Sequence, residues 1–133
     1  MDEINIKKTI FTPDIFLSKE DNFFLISGKS VTENAEELYN PVLKWFKKYF
    51  DNPNETTEII LYIEYLNSAS SLQIGNLFDI ITKNKNKTKI IINWLCEKGD
   101  ELSEDTGKEY QYIYEFKFNF IEIEEKDSEV FIF

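Results

Sequence analysis

The stretch EIILYIEYL, residues 58–66, decides the fold because it is nearly continuous in apolar and aromatic residues. Such a run is typical of a central strand that is covered on both faces. A second run of this kind, KIIINWLC at residues 89–96, follows a helical pattern whose apolar residues lie between Leu72 and Ile81. Strand, helix and strand in this order predict a crossover that joins two parallel strands.

Towards the amino end, the sequence predicts an antiparallel hairpin and a first helix. Short apolar runs at residues 14–17 and 23–27 are separated by a polar segment, and Gly28 is expected to end the second strand. Apolar residues then recur at helical spacing over residues 33–50. Pro41 lies inside this pattern, and because proline removes a backbone donor we expect a kink or a restart just before it.

Towards the carboxyl end, the pattern predicts a third helix at residues 102–112 and an edge strand at residues 116–123. The apolar tail EVFIF, residues 129–133, is expected to add a strand or to seal the interface of a homodimer. We therefore expect residues 1–133 to form a single α/β domain. Its mixed sheet would combine an N-terminal antiparallel hairpin with a parallel βαβ crossover, and it would carry about three helices.

The composition argues against several classes of function. A formal net charge of -10 repels the phosphates of nucleic acid and of anionic lipid, so neither nucleic acid nor a membrane is expected as a partner. Histidine is absent, which removes the usual general base near neutral pH and argues against an enzyme. The lone cysteine, Cys96, excludes an internal disulfide. Because the first residues lack the layout of a secretory signal, we expect a cytoplasmic protein.

A serine-rich stretch, NSASS at residues 67–71, directly follows the central strand and precedes the second helix. In open α/β sheets this edge presents functional residues. One interpretation is that a hydroxyl caps the helix, which stabilises a helix by about 0.5–2 kcal/mol. The other is phosphorylation, since a phosphate adds about -1.5 to -2 charges and free amides at a helix start can receive it. Position alone favours the cap.

An acidic segment, DELSED at residues 100–105, could hold a divalent cation, because hard cations take oxygen ligands. Its spacing matches no standard calcium loop, and clustered carboxylates are usually a solvated loop or a helix start. We therefore predict no cofactor and no metal. A carboxylate-dependent divalent-metal enzyme that uses Asp100, Glu101, Glu104 and Asp105 stays open as an alternative function.

Three further stretches occur in an order shared with a known family. GKSVTENA at residues 28–35 leads to YNPVLKW at residues 39–45, YLNSAS follows at residues 65–70, and the pair Asn93 and Trp94 precedes the acidic run. Together they resemble the SiaC-type regulatory phosphoproteins of bacteria. The resemblance also accounts for the proline inside the first helix, since a Tyr-x-Pro motif at this place resembles a standard feature of the family.

This resemblance implies a fold similar to that of the anti-sigma-factor antagonists of the STAS type, with a phosphorylated hydroxyl after the central strand. Ser68 holds that place and is favoured over Ser70 and Ser71. The family commonly has threonine there, and serine carries the same hydroxyl. The implied partners are a protein kinase of the anti-sigma type, a PP2C-type phosphatase and a diguanylate cyclase. The implied output is control of cyclic-di-GMP and of biofilm formation.

Residues around this switch are expected to contact the partners, both on the serine-rich stretch and at the start of the first helix. They are Asn67, Ser68, Ala69, Ser70, Ser30, Glu33 and Asn34. The predicted function is thus a non-enzymatic signalling phosphoprotein that works by partner switching. A structural adaptor that is never phosphorylated, and in which Ser68 is only a cap, is the second alternative.

Overall fold

Strands and helices alternate along residues 1–124, which is the part of the chain that the computed structural model describes. In chain order the elements are β1 (Ile4–Ile6), β2 (Asp14–Ser18), β3 (Phe23–Ser30), α1 (Ala35–Tyr49), β4 (Thr56–Leu66), α2 (Ser68–Asn84), β5 (Lys89–Glu97), α3 (Glu101–Tyr114) and β6 (Lys117–Ile123). The tail for which we predicted a strand or a dimer interface lies outside the described residues. None of the helices in the described part has the length and hydrophobicity needed to cross a membrane.

The strands form one sheet in which neighbours in the chain are also neighbours in space, in the order β1-β2-β3-β4-β5-β6. The first three strands pair antiparallel, and β3 to β6 pair parallel. The prediction of a mixed sheet with an N-terminal hairpin and a parallel crossover is therefore confirmed. β1 was not predicted, because three residues are too few to show the alternation that identifies a strand.

One hydrophobic core lies between the sheet and the helices. Phe24, Ile59, Ile92 and Phe118 are partners across the four parallel strands, and all four are buried. Residues from all three helices belong to the same buried cluster. From β3 to β6, each connection leads to the next strand on the same side of the sheet. Because such connections between parallel strands are right-handed, all three helices lie on one face.

The opposite face of the central strand is more open than the sequence predicted. Glu58 and Glu64, near the two ends of β4, are exposed there, while Tyr62 between them is buried. The expectation of a strand covered on both faces is thus wrong for the ends of β4. The cause is the one-sided arrangement of the helices, which leaves the second face without a layer of its own among the described residues.

The first helix continues through its proline, and the strand before it runs further than expected. α1 contains Pro41 and does not restart there, because residues on both sides of the proline, Tyr39 and Val42, are buried and hold the helix by packing. β3 does not end at Gly28 but continues to Ser30, with a shift of register against β4 after the glycine. Gly28 has φ +125°, a conformation that glycine adopts without strain in a bulge.

Candidate functional site

The serine-rich stretch forms the cap and first turn of α2, at the carboxyl edge of the parallel strands. Asn67 is the N-cap, and its side chain accepts a hydrogen bond from the Ser70 N–H at 2.8 Å. The Asn67 side chain also donates to the carbonyl of Thr32 at 3.2 Å, and its backbone N–H donates to the carbonyl of Ser30 at 3.1 Å. Asn67 therefore fixes the start of α2 against the segment that leads into α1.

The interpretation that a serine hydroxyl caps the helix is wrong, because Asn67 takes this role and the hydroxyls of Ser70 and Ser71 are bonded elsewhere. The Ser70 hydroxyl is wholly buried and accepts a hydrogen bond from the hydroxyl of Ser30 at 2.8 Å. The Ser71 hydroxyl lies 2.8 Å from the hydroxyl of Tyr110 on α3, which also donates to the Ser71 carbonyl at 3.0 Å. Both serines thus tie α2 to its neighbours.

Ser30 and Tyr39 continue this buried chain of hydroxyls. Their side-chain oxygens are 2.8 Å apart, and because Ser30 donates its hydrogen to Ser70, Tyr39 is the donor to Ser30. Burial raises the pKa of Tyr39 to about 12, so its hydroxyl keeps the proton that it donates. Two residues predicted to contact partners, Ser30 and Ser70, are therefore placed below the surface, where they support the turn.

Ser68 occupies a different environment from the serines that follow it. It is the first residue of α2 and is exposed, as is Ala69 beside it. The backbone amides of a first helical turn lack intrahelical partners, and the helix dipole favours negative charge at this end. A phosphate on Ser68 would break no buried contact, whereas a phosphate on Ser70 would displace Ser30.

Glu33 and Asn34 lie at the surface close to this turn. Both are exposed, and Asn34 is the residue that precedes the first turn of α1. The Asn34 N–H donates to the side chain of Thr32 at 3.1 Å, and the carbonyl of Thr32 is the group that Asn67 contacts. The structure therefore brings together predicted partner-contacting residues from the starts of two helices. Glu33 and Asn34 precede α1, and Ser68 and Ala69 begin α2.

A cavity of about 130 Å³ next to this turn was not predicted from the sequence. β4 and β5 pair as far as Leu61 and Trp94 and separate beyond these residues. The cavity lies in the gap between them. The start of α3 enters the gap, and there the Ser103 hydroxyl donates to the Ile63 carbonyl at 3.2 Å. The lining residues are Ile63, Glu64, Tyr65, Leu66, Trp94, Leu102, Ser103 and Thr106.

Several large apolar side chains are exposed around this end of the sheet. Tyr65 is 58% exposed, Leu102 is 69% exposed and Leu72 is 64% exposed. The sequence pattern had placed Leu72 on the apolar face of the second helix, which is wrong. The buried stripe of α2 runs through Ile74, Leu77 and neighbouring positions, whereas Leu72 lies four residues after Ser68 and on the same side of the helix.

The acidic segment does not converge on a metal site. Asp100 caps α3 by accepting the Ser103 N–H at 3.1 Å, and Glu104 forms an ion pair with Lys108 at 3.0 Å. Within residues 1–124, no three histidine, cysteine, aspartate or glutamate side chains are grouped so that they could hold a metal ion. The geometry therefore gives the alternative of a divalent-metal enzyme no support.

Comparison with known proteins agrees with the family resemblance of the sequence. The family model described as SiaC family regulatory phosphoprotein matches residues 6–123. An uncharacterised protein of Pseudomonas aeruginosa strain UCBPP-PA14 is 22% identical over 119 residues, which are 89% of this chain and 94% of that protein.

Solved structures from Pseudomonas aeruginosa share the fold. The crystal structure of apo-SiaC superposes with a TM-score of 0.81 at 20% identity, over 91% of this chain and 99% of that one. A chain in the crystal structure of the diguanylate cyclase SiaD in complex with its activator SiaC gives a TM-score of 0.83 at 21% identity. The match covers 90% of this chain and 99% of that one. At these identities the likeness shows the fold alone.

Proposed function

The chain belongs to the SiaC family of regulatory phosphoproteins, and from this membership we propose that it is a cytoplasmic phosphorylation switch that acts by binding other proteins and not by catalysis. A protein kinase of the anti-sigma type adds phosphate to Ser68, and a PP2C-type phosphatase removes it. The unphosphorylated form binds the effector. The proposed effector is a diguanylate cyclase, because a SiaC protein of Pseudomonas aeruginosa is the activator of such an enzyme.

One observation carries the assignment of the switch to Ser68: its hydroxyl belongs to an exposed residue, while the neighbouring serines are engaged in the fold. Ser70 is 0% exposed, and Ser71 is half-buried with its hydroxyl against Tyr110. A kinase must reach the hydroxyl that it modifies. Among the serines of this turn, Ser68 is the one whose hydroxyl a kinase can reach without local unfolding.

The position of Ser68 also supplies a reason why phosphate would release the effector. Ser68 and the exposed Leu72 lie one helical turn apart on the same side of α2. A partner that covers Leu72 must therefore cover Ser68 as well. Covering a hydroxyl costs little when it finds a hydrogen bond, whereas covering a phosphate requires that about two negative charges lose their water.

Mapping of the phosphate tests the first half of the proposal. The chain is expressed with an affinity tag in its own bacterium, purified with phosphatase inhibitors and analysed by peptide mass spectrometry. We expect phosphate on Ser68, none on the Ser68→Ala variant, and unchanged modification of the matched Ser71→Ala variant. Phosphate found only at other residues would show that the assignment is wrong.

Cyclase stimulation tests the second half. The cyclase of the same bacterium is assayed for cyclic-di-GMP production with the wild-type chain, with Ser68→Ala and with Ser68→Asp. Wild type and Ser68→Ala are expected to stimulate the enzyme, and Ser68→Asp is not. Equal stimulation by all three would contradict the switch and would favour an adaptor that works independently of phosphorylation.

A further inference from the structure

We propose that the effector docks through a cationic segment that inserts one large apolar side chain into the cavity at the end of β4. We call this surface the β4 cleft, defined as the cavity together with the exposed Tyr65 and Leu102 that line it. The inference rests on the proposed function, since it names the chemistry of the effector that the switch controls. It is argued from the size, polarity and charge of the cleft.

The size of the β4 cleft fits a single side chain. Its volume is about 130 Å³, and its walls include the buried Trp94 and Ile63. An apolar cavity of about 150 Å³ is known to be large enough to take up benzene. The cleft can therefore hold one leucine, isoleucine or phenylalanine side chain, with Tyr65 and Leu102 in contact with the chain that carries it.

The two hydroxyls that α3 contributes to the β4 cleft are already bonded, which favours an apolar occupant beside them. The hydroxyl of Ser103 donates to the Ile63 carbonyl at 3.2 Å, and the hydroxyl of Thr106 donates to the Leu102 carbonyl at 2.9 Å. An apolar side chain that fills the space would thus leave neither hydroxyl without a hydrogen bond. A polar ligand would have to compete with these internal bonds.

The charge around the β4 cleft is negative. Glu64 lines it, and the exposed Glu101 and Asp105 flank Leu102 on α3. Burial, and then the carboxylates of Glu97, Glu64 and Asp100, raise the pKa of Tyr62 beneath this edge. Lysine or arginine on the partner would complement these carboxylates, steer the encounter and make binding sensitive to salt.

The β4 cleft leads directly to the switch. Tyr65 and Leu66 line the cavity, and the chain then passes through Asn67 to Ser68. A segment seated in the cleft would consequently lie beside Ser68. This proximity explains how one phosphate at the start of α2 can control a contact that is made mainly by apolar groups.

A peptide selection tests the cleft without any known partner. A phage library of random 16-residue peptides is selected on the immobilised wild-type chain, with the bare support used to remove peptides that bind the surface instead of the protein. We expect the enriched peptides to share lysine or arginine together with one large apolar residue. A selection that yields no such peptides, or mainly acidic ones, would overturn the proposal.

The affinity of the most enriched peptide is then measured by fluorescence anisotropy. Leu102→Asp is expected to weaken binding by about tenfold or more, as for a central apolar contact. The matched control is Tyr112→Asp, since Tyr112 is 87% exposed on the same helix and does not line the cleft. Equal affinity for wild type and Leu102→Asp would overturn the proposal.

Charge neutralisation gives a second set of variants that leaves the apolar surface intact. Glu64→Gln combined with Glu101→Gln is expected to weaken the peptide several-fold at low salt and to flatten its salt dependence. The control is Glu37→Gln on α1, which lies outside the cleft. An unchanged salt dependence in the double variant would contradict the cationic chemistry of the partner.

The two proposals fail in different ways. If peptides depend on Leu102 while Ser68→Asp still stimulates the cyclase, the docking surface stands and the switch is wrong. If Ser68→Asp abolishes stimulation while Leu102→Asp changes neither peptide binding nor stimulation, the switch stands and the docking surface is wrong.

Discussion

Ser30 donates a hydrogen bond to Ser70 across 2.8 Å, and both side chains are completely buried. The bond joins the end of β3 to the first turn of α2, and Tyr39 extends the chain of hydroxyls into α1. The turn that carries Ser68 is thus held from below by side chains that solvent does not reach. The side chain of the exposed Ser68 can therefore be modified while this support stays the same.

Removal of the buried acceptor should cost stability. Ser70→Ala leaves the hydroxyl of Ser30 without the group to which it donates, and we expect the free energy of unfolding to fall by about 1–3 kcal/mol. Ser68→Ala changes an exposed position, so it should alter stability by no more than about 0.5 kcal/mol. Urea unfolding of the two variants measures both values. Equal stabilities would show that the buried hydroxyl contributes nothing.

The helix cap should show a graded response. Asn67→Ala removes the acceptor for the Ser70 N–H and the donor to Thr32, and we expect a loss of about 0.5–2 kcal/mol. Asn67→Asp keeps an acceptor and adds a negative charge at the positive end of the helix dipole, so it should lose less. Thermal unfolding compares the two. A larger loss for Asn67→Asp would indicate that the contact with Thr32 dominates.

Most of the fold could be predicted because the central strands carry strong patterns. β4 and β5 are long apolar runs, and the helices between the strands have clear helical spacing. β1 could not be predicted, since three residues show no period and gain their conformation by pairing with β2. Gly28 was misassigned because a glycine that ends a strand and a glycine in a bulge have the same sequence signal.

Less of the candidate site could be predicted. The position of Ser68 after the central strand was recognisable, but asparagine and serine are about equally good caps, so tertiary contacts decided that Asn67 is the cap. The β4 cleft was missed because exposed and buried leucines look alike in a sequence. Leu102 became part of it only because β4 and β5 separate beyond Leu61 and Trp94.

Two helical glycines should respond in opposite directions to alanine. At Gly107 an added Cβ would lie 2.8 Å from both Trp94 and Phe120, so Gly107→Ala should destabilise the fold by about 1–3 kcal/mol. At Gly75 the nearest atom is the Tyr114 hydroxyl at 3.5 Å, an ordinary contact. Gly75→Ala should therefore gain about 0.5–1 kcal/mol from helix propensity. Urea unfolding measures both, and a stable Gly107→Ala variant would contradict the tight packing of α3.

Buried tyrosine should make the fold sensitive to alkali. Burial raises the pKa of Tyr39 from 10.0 to about 12, so the unfolded chain loses this proton at lower pH than the folded protein. The contribution of Tyr39 to the free energy of unfolding is therefore fully present below pH 10 and is lost as the pH rises towards 12. Tyr39→Phe should be less stable at neutral pH, because the bond to Ser30 is gone, yet its stability should fall less steeply above pH 10. Urea midpoints at several pH values test this, and parallel curves would contradict it.

A negative charge at Ser68 should separate binding from stability. Position 68 is the first residue of α2, where a carboxylate interacts favourably with the helix dipole by about 0.3–1 kcal/mol, so Ser68→Asp should unfold at the same temperature as wild type or slightly higher. Stimulation of the cyclase should nevertheless be lost, because the charge must be desolvated in the contact. Ser71→Asp is the matched control: it removes the contact with Tyr110 and places a carboxylate in a half-buried site, so it should lower the melting temperature clearly. If Ser68→Asp loses both stimulation and thermal stability, the lost stimulation is explained by impaired folding. A phosphate at this residue would then act by destabilising α2 and not by preventing the effector from binding to its surface.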